Sequence, residues 1–376
     1  MNSPAYYAAV PAHIRQLTPY QPGKPMAELE RELGLSSVIK LASNENPMGP
    51  SPKALAALST LSAELALYPD GNGFELKNAL SQQFGLEQNR FILGNGSNDV
   101  LDLVARTFLG PGRAAIYSQY AFAVYSLATQ MAGAQGIEVV ATAYGHDLDA
   151  MVRAVTPETR VVFVANPNNP TGTFVEGAEL YAWLQRIPPQ IVVVLDEAYT
   201  EFLPNALRYD AVPWLNQFPN LLICRTFSKA YGLAGLRVGF AMGHPALMDL
   251  MNRVRQPFNV SVPALIAATA ALGDQEFLEQ TRQMNDRGRQ QLQKGFDRLG
   301  LTFVPGQGNF VLVEVGQGAK IYDQLLRLGV IVRPVGAYGL PRHLRVSIGT
   351  QAENDRFLAC LAQVMTQEMV VAARVG

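Results

Sequence analysis

Three short apolar runs constrain this chain more than anything else in it: Val161 to Ala165, Ile191 to Leu195 and Leu221 to Cys224. A helix is read between the first two and a helical or irregular segment between the last two, and residues that favour turns follow the first at once. Fully apolar strands alternating with helices predict a mostly parallel sheet sandwiched by helices, an α/β fold. Arg90 to Leu93, Ala114 to Tyr117 and Val139 to Ala141 read as earlier strands of the same sheet. At 376 residues the chain exceeds one ordinary core and suits two domains sharing a cleft. The expected division is a large domain over 40–275 and a smaller α+β domain built from 1–39 and 276–376. Helices are expected over Met26 to Leu33 and Pro52 to Leu67, and one long helical region from Pro263 to Leu299 leads out of the sheet. The smaller unit takes strands Phe310 to Val315, Val330 to Val332 and Leu344 to Ile348, with helices Ile321 to Leu328 and Glu353 to Met365.

In open parallel sheets, ligands bind beyond the carboxyl ends of the strands. Here those ends carry Asn166-Pro167-Asn168-Asn169-Pro170-Thr171-Gly172, Asp196-Glu197-Ala198-Tyr199 and Thr226-Phe227-Ser228-Lys229. Successive ends lie roughly one strand-helix-strand unit apart, so Asn169, Asp196 and Lys229 are expected at one sheet edge. Lys229 stands between a strand end and a glycine-rich turn, flanked by the hydroxyls of Thr226 and Ser228, with Arg237 eight residues on. An amine condenses with an aldehyde, and hydroxyls with a guanidinium hold a phosphate, which suits a phosphorylated aldehyde cofactor. The turn Gly94-Asn95-Gly96-Ser97-Asn98-Asp99 adds backbone N–H groups at a helix start, placing Ser97 and Asn98 on the same phosphate. The third glycine of a dinucleotide fingerprint is missing, which argues against a nicotinamide site.

If the cofactor is pyridoxal 5′-phosphate, Lys229 binds it and carries protons, and Asp196 pairs with the pyridine nitrogen. Tyr199 and Asn169 then face the ring hydroxyl, and Phe122 can stack on the ring. Each has a plainer alternative. Lys229 can snorkel at a helix start, Asp196 can cap a helix, and Asn169 can simply make a turn. Tyr199 and Phe122 can be core aromatics, and the Gly94–Asp99 segment can be an ordinary tight turn.

Composition narrows the partner. The net charge is −1, hydrophobic residues make up 48% and charged ones 16%, with lysine and arginine spread along the chain. That is a soluble globular pattern with no polybasic patch for nucleic acid or a membrane surface, so small molecules are the expected partners. Cys224 and Cys360 sit in apolar runs, as reduced thiols of a cytoplasmic protein would. Met1 to Val10 lacks a signal-peptide pattern, and the apolar runs fall short of a membrane span. His13, His146, His244 and His343 have no paired spacing, so no metal is expected.

Asn169-Pro170-Thr171-Gly172, Asp196-Glu197-Ala198-Tyr199 and Ser228-Lys229 with Arg237 resemble the fold-type I, aspartate-aminotransferase-like pyridoxal-phosphate enzymes. Leu17-Thr18-Pro19-Tyr20-Gln21, Asn44-Glu45-Asn46-Pro47, Tyr68-Pro69 and Leu344 to Thr350 are most similar to the histidinol-phosphate aminotransferase branch. The resemblance implies a homodimer with its active sites at the interface, Tyr68 reaching the partner's cofactor phosphate. It implies that Arg345 meets the substrate's acidic group, and that Arg333, Arg345 and Tyr20 form an anion pocket, with Asn309 and Asn46 among the substrate contacts. Phe122 takes the ring-stacking position. The implied reaction exchanges an amino group between L-histidinol phosphate and 2-oxoglutarate, giving imidazole-acetol phosphate and glutamate.

Three rivals share the fold: a threonine-phosphate decarboxylase, a broad aromatic aminotransferase and a cofactor-sensing regulator. The regulator would want a helix-turn-helix domain, for which the sequence shows no spare length or basic region. One departure bears on substrate preference. Where many relatives have Pro-Thr-Tyr, this chain has Tyr120-Ala121-Phe122, and a phenylalanine donates no hydrogen bond.

Overall fold

In the computed structural model, which describes residues 4–61 and 63–375, the apolar runs lie side by side in a seven-stranded sheet. Its strands are β1 (Phe91–Gly94), β2 (Ala114–Ser118), β3 (Gln135–Val139), β4 (Thr159–Ala165), β5 (Val192–Asp196), β6 (Leu221–Thr226) and β7 (Gly239–Gly243). They follow the order β1-β7-β6-β5-β4-β2-β3. β7 runs antiparallel to both neighbours, and every other pair is parallel. Ala165 sits beside Asp196, and Asp196 beside Cys224, so the tips of β4, β5 and β6 end nearly level.

Side chains alternate between the two faces of a strand. Val162, Val164, Val193, Leu195 and Ile223 enter one core, while Val161, Phe163, Val192, Val194, Leu222 and Cys224 enter the other. Helices cover both faces, including α1 (Ser97–Phe108) and α2 (Ala123–Met131) on the second. Burying one such side chain stabilises the fold by about 1.5–3 kcal/mol, which is why these runs become central strands.

Several boundaries differ from expectation. β3 begins at Gln135 rather than Val139. It is an edge strand with exposed polar residues, Gln135 and Glu138 among them, so it lacks the apolar signature of a buried strand. β7 is wholly buried yet went unread, because its small residues resemble a loop. A β-carbon at Gly239 would meet Ser97 N at 2.5 Å and Arg225 O at 3.0 Å, so close backbone approach requires the glycine. The helix beginning at Pro52 stops at Leu58. The region after Pro263 is two helices, α3 (Val262–Leu272) and α4 (Gln275–Arg298). They part at Gly273-Asp274, where the Asp274 carboxylate accepts from Ser51 Oγ at 2.6 Å.

The carboxyl-terminal unit is an antiparallel sheet of β8 (Phe303–Val304), β9 (Phe310–Glu314), β10 (Arg333–Pro334) and β11 (His343–Ser347), in the order β10-β11-β9-β8. Its core joins Leu292 and Phe296 of α4 to α5 (Gly318–Arg327) and α6 (Gln351–Val375). The amino-terminal segment is stitched into this unit. Ile39–Lys40 pairs in parallel with Val330–Ile331, and Leu41 enters the same core. Among the described residues, no helix is long and apolar enough to cross a membrane, and no group of three or more His, Cys, Asp or Glu is placed to hold a metal ion.

Candidate active site

One cavity opens where the tips of β4, β5 and β6 face the antiparallel sheet and the segment Ala42–Asn44. Asn169, Asp196, Tyr199 and Lys229 all line it. So do Ser97, Asn98, Phe122, Thr226, Ser228 and Arg237 from the large sheet's side, and Tyr20, Arg333 and Arg345 from the other.

Lys229 Nζ donates to the Ser43 carbonyl at 3.0 Å and lies 6.0 Å from the centre of the Tyr199 ring. Burial, reinforced by the Arg345 guanidinium, lowers this amine to about 8. A lysine so placed is a usable nucleophile and proton carrier near neutral pH. Asp196 is buried at the end of β5, and burial pushes its carboxyl up to about 6. Its Oδ2 accepts from the Tyr125 hydroxyl at 2.7 Å, while its Oδ1 has no partner. An unpaired buried acceptor costs stability unless a ligand supplies a donor. The Tyr199 hydroxyl accepts from Asn44 Nδ2 at 3.0 Å, and burial raises its phenol to about 12.

A second group of residues is arranged so that it could hold an anion. Arg237 Nη1 donates to Ser228 Oγ at 3.3 Å, and Ser228 N donates to Thr226 Oγ1 at 3.1 Å. Ser97 and Asn98 open α1, where unpaired N–H groups favour negative charge. A β-carbon at Gly96 would meet Arg237 Nη2 at 2.4 Å, so only glycine lets the guanidinium close onto the helix start. Arg237 itself has φ 57°, a left-handed conformation uncommon outside glycine and concentrated at functional sites.

On the far side, Arg345 Nη1 donates to Asn169 Oδ1 and Nη2 to the Ala42 carbonyl, both at 2.6 Å. Its Nε is buried without a partner. Arg333 stands directly opposite Arg345 in the β10–β11 pairing, donates to the Gln21 carbonyl at 2.7 Å and lies 5.5 Å from the Tyr20 ring centre. Like charges directly opposite one another in a sheet are destabilising, and an anion between them could offset that cost.

Three candidates do not reach the cavity wall. Asn309 donates to the Asn44 carbonyl at 2.9 Å, and Asn46 donates to the Ala230 carbonyl at 2.9 Å, each tying the amino-terminal segment down. Tyr68 is 82% exposed and stacks on Phe258 with ring centres 4.8 Å apart. The Gly306–Asn309 turn packs on the Gly172 turn, with Gln307 N donating to the Gly172 carbonyl at 2.8 Å.

Sequence reasoning passed over Ser43, Asn44 and Tyr125, which touch Lys229, Tyr199 and Asp196 directly. Asn44 stood inside a stretch already singled out, but nothing in the spacing of the three residues indicates their partners. Also unread was the pair behind the site, where Arg225 Nε and Nη2 donate to Glu197 Oε2 at 2.9 and 2.7 Å.

A sequence model of the family described as aminotransferase class I and II matches residues 36–361. Histidinol-phosphate aminotransferase 2 of Nitrosospira multiformis is 56% identical over 355 residues, covering 94% of this chain and 91% of its own. Histidinol-phosphate aminotransferase 1 of Thiobacillus denitrificans is 56% identical over 360 residues, covering 95% and 94%. Among solved structures, the histidinol-phosphate aminotransferase of Sinorhizobium meliloti in complex with pyridoxal-5′-phosphate superposes with a TM-score of 0.88 at 29% identity, covering 96% of this chain and 99% of that one. Aspartate aminotransferase of Thermus thermophilus with maleate shares the fold, with a TM-score of 0.82 at 23% identity over 94% and 99%. Sequence and fold agree with the chemistry of the cavity: this chain belongs to the class I and II aminotransferase family.

Proposed function

We propose that this protein is a pyridoxal-phosphate-dependent aminotransferase that exchanges an amino group between L-histidinol phosphate and 2-oxoglutarate, a step of histidine biosynthesis. The observation that carries the reading is one cavity containing a lysine amine, a buried carboxylate with a free oxygen and two arginines side by side. The relatives named above, 56% identical over nearly the whole chain, support the substrate.

The residues suit the cofactor. Asp196 Oδ1 lacks the donor that a protonated pyridine nitrogen brings, and Ser228, Thr226, Arg237 and the start of α1 make a phosphate cradle. When bound, pyridoxal phosphate supplies an aldehyde for amines and an electron-accepting ring. Lys229 would hold it, and its Nζ, lowered to about 8, would carry a proton near neutral pH. Asp196 would keep the ring nitrogen protonated, Tyr199 and Asn169 would serve the ring oxygen, and Phe122 would pack against the ring, all four lining the cavity. Arg333, Arg345 and Tyr20 receive the substrate's phosphate, whose double charge calls for more than one cation. Asn46 and Asn309 serve this pocket through the segment they anchor.

The working unit in this reading is a homodimer in the cytoplasm. Tyr68, exposed on its own subunit, meets the partner's cofactor phosphate. The unpaired thiols Cys224 and Cys360 suit a reducing compartment. We also assign 40–275 to the large domain, and 1–39 with 276–376 to the small one, a division supported by Ile39, Leu292 and Phe296 packing in the core of the carboxyl-terminal unit. The test is direct. Purified protein given L-histidinol phosphate and 2-oxoglutarate should produce glutamate in step with imidazole-acetol phosphate. Absence of that exchange, or release of carbon dioxide from threonine phosphate instead, would overturn the assignment.

A further inference from the structure

The reading above leaves one buried phenol at the site without a task. Tyr125, on α2, is fully buried and donates its hydroxyl proton to Asp196 Oδ2 at 2.7 Å. It has little freedom to do anything else. Its ring stacks on Phe163 with centres 4.8 Å apart and planes 6° from parallel, and Phe122 meets it edge-on at 6.0 Å. Its backbone carbonyl accepts from Thr129 Oγ1 at 2.7 Å. Phe163 belongs to β4, the strand beside the one that ends in Asp196. The stack that fixes the phenol is therefore part of the same sheet that carries the carboxylate.

The consequence lies in the second oxygen. With Oδ2 tethered, the Asp196 carboxylate cannot rotate without breaking a short hydrogen bond between two buried side chains. Oδ1 alone is left to meet a ligand, and it has no protein partner. Burial favours the neutral acid at this position, and the Tyr125 bond works against it. We propose that Tyr125 is a positioning residue, fixing the Asp196 carboxylate so that Oδ1 is presented to the protonated ring nitrogen of the cofactor. This rests on pyridoxal phosphate occupying the cavity as described above.

The experiment measures cofactor affinity of the apoprotein. It is titrated with pyridoxal phosphate and with its 1-deaza analogue, which keeps the aldehyde, the phenol and the phosphate but carries C–H in place of the ring nitrogen. The unvaried protein should prefer pyridoxal phosphate. Tyr125→Phe, which retains the stack on Phe163, should reduce that preference by about tenfold, as expected for one lost hydrogen bond to a charged group. Affinity for the analogue should stay within about twofold, because no ion pair to the ring nitrogen exists there to be lost. In an Asp196→Asn background, Tyr125→Phe should have no further effect on the preference.

Equal weakening toward both compounds would mean that Tyr125 merely packs, and an unchanged preference would overturn the proposal outright. If the unvaried protein itself fails to discriminate, the pairing of Asp196 with the ring nitrogen is wrong, and the role of Tyr125 falls with it. Should Tyr125→Phe not fold, 3-fluorotyrosine at position 125 gives a more acidic, stronger donor. It should raise the preference for pyridoxal phosphate, and no rise would refute the proposal.

Discussion

Removing the cation behind the active site is the most demanding test of how this fold holds its catalytic edge. Arg225 leaves β6 just before Thr226, and Glu197 follows Asp196 on β5, so their ion pair ties together the two strand tips that bear Asp196 and the Lys229 loop. The side chains are 15% and 1% exposed, and Arg225 also rests 5.2 Å from the Phe84 ring centre. A third group depends on the same cation. Burial raises the Glu201 carboxyl to about 7, with Arg225 holding it down from higher still. Arg225→Met keeps the bulk but leaves two carboxylates facing apolar surroundings, and losing one partner of a buried pair costs about 3–5 kcal/mol. The exposed pair Arg253–Asp249, 69% and 61% accessible, is the control, and Arg253→Met should cost about 0–1 kcal/mol.

The pH dependence adds a second requirement. Burial already holds the folded-state value of Glu201 above that of an unfolded glutamate near 4.5, and without Arg225 it rises further. A carboxyl raised on folding loses stability as pH climbs from its unfolded value through its folded one. The defect should therefore be larger at pH 8 than at pH 5, by up to about 1.4 kcal/mol from Glu201, whose value near 7 in the unvaried protein leaves one pH unit in that window. Guanidinium unfolding of the apoprotein, followed by circular dichroism at both pH values, measures this. A loss no greater than that of Arg253→Met, or one independent of pH, would show the reasoning to be wrong.

Other outcomes follow from the site. Lys229→Ala should abolish transamination while leaving the far-ultraviolet circular dichroism unchanged; retained turnover would remove Lys229 from the chemistry. In the apoprotein, the rate of imine formation with a simple aldehyde should rise with pH through about 8, since the neutral amine is the reactive form. A midpoint near the ordinary lysine value of 10.5, measured by stopped-flow absorbance, would contradict the buried setting. Gly96→Ala should weaken pyridoxal-phosphate binding by about tenfold or more, because the new methyl displaces the Arg237 guanidinium, one charged contact to the phosphate. Unchanged affinity by fluorescence titration would place the phosphate elsewhere.

Much of the fold was legible because burial on both faces writes itself into a strand as an unbroken apolar run. That logic worked for β4, β5 and β6 and failed for β3, whose open edge tolerates Gln135 and Glu138, and for β7, whose Gly239 is there for backbone clearance. The long helix expected after Pro263 was two, because the stop at Gly273-Asp274 is secured from Ser51, 223 residues away in the chain.

The sequence by itself determined which groups could meet at the sheet edge. Parallel strands in register end level, so residues just past Ala165, Leu195 and Cys224 must emerge together, and Asn169, Asp196 and Lys229 do. Tertiary structure alone decided how those groups are held. Asp196 is gripped by a phenol 71 residues away, Tyr199 by an amide 155 away and Lys229 by a carbonyl 186 away. Such contacts depend on how a helix and the amino-terminal segment pack against the sheet. Local periodicity carries no record of that packing, because periodicity reports which face of an element is buried and not what lies against it.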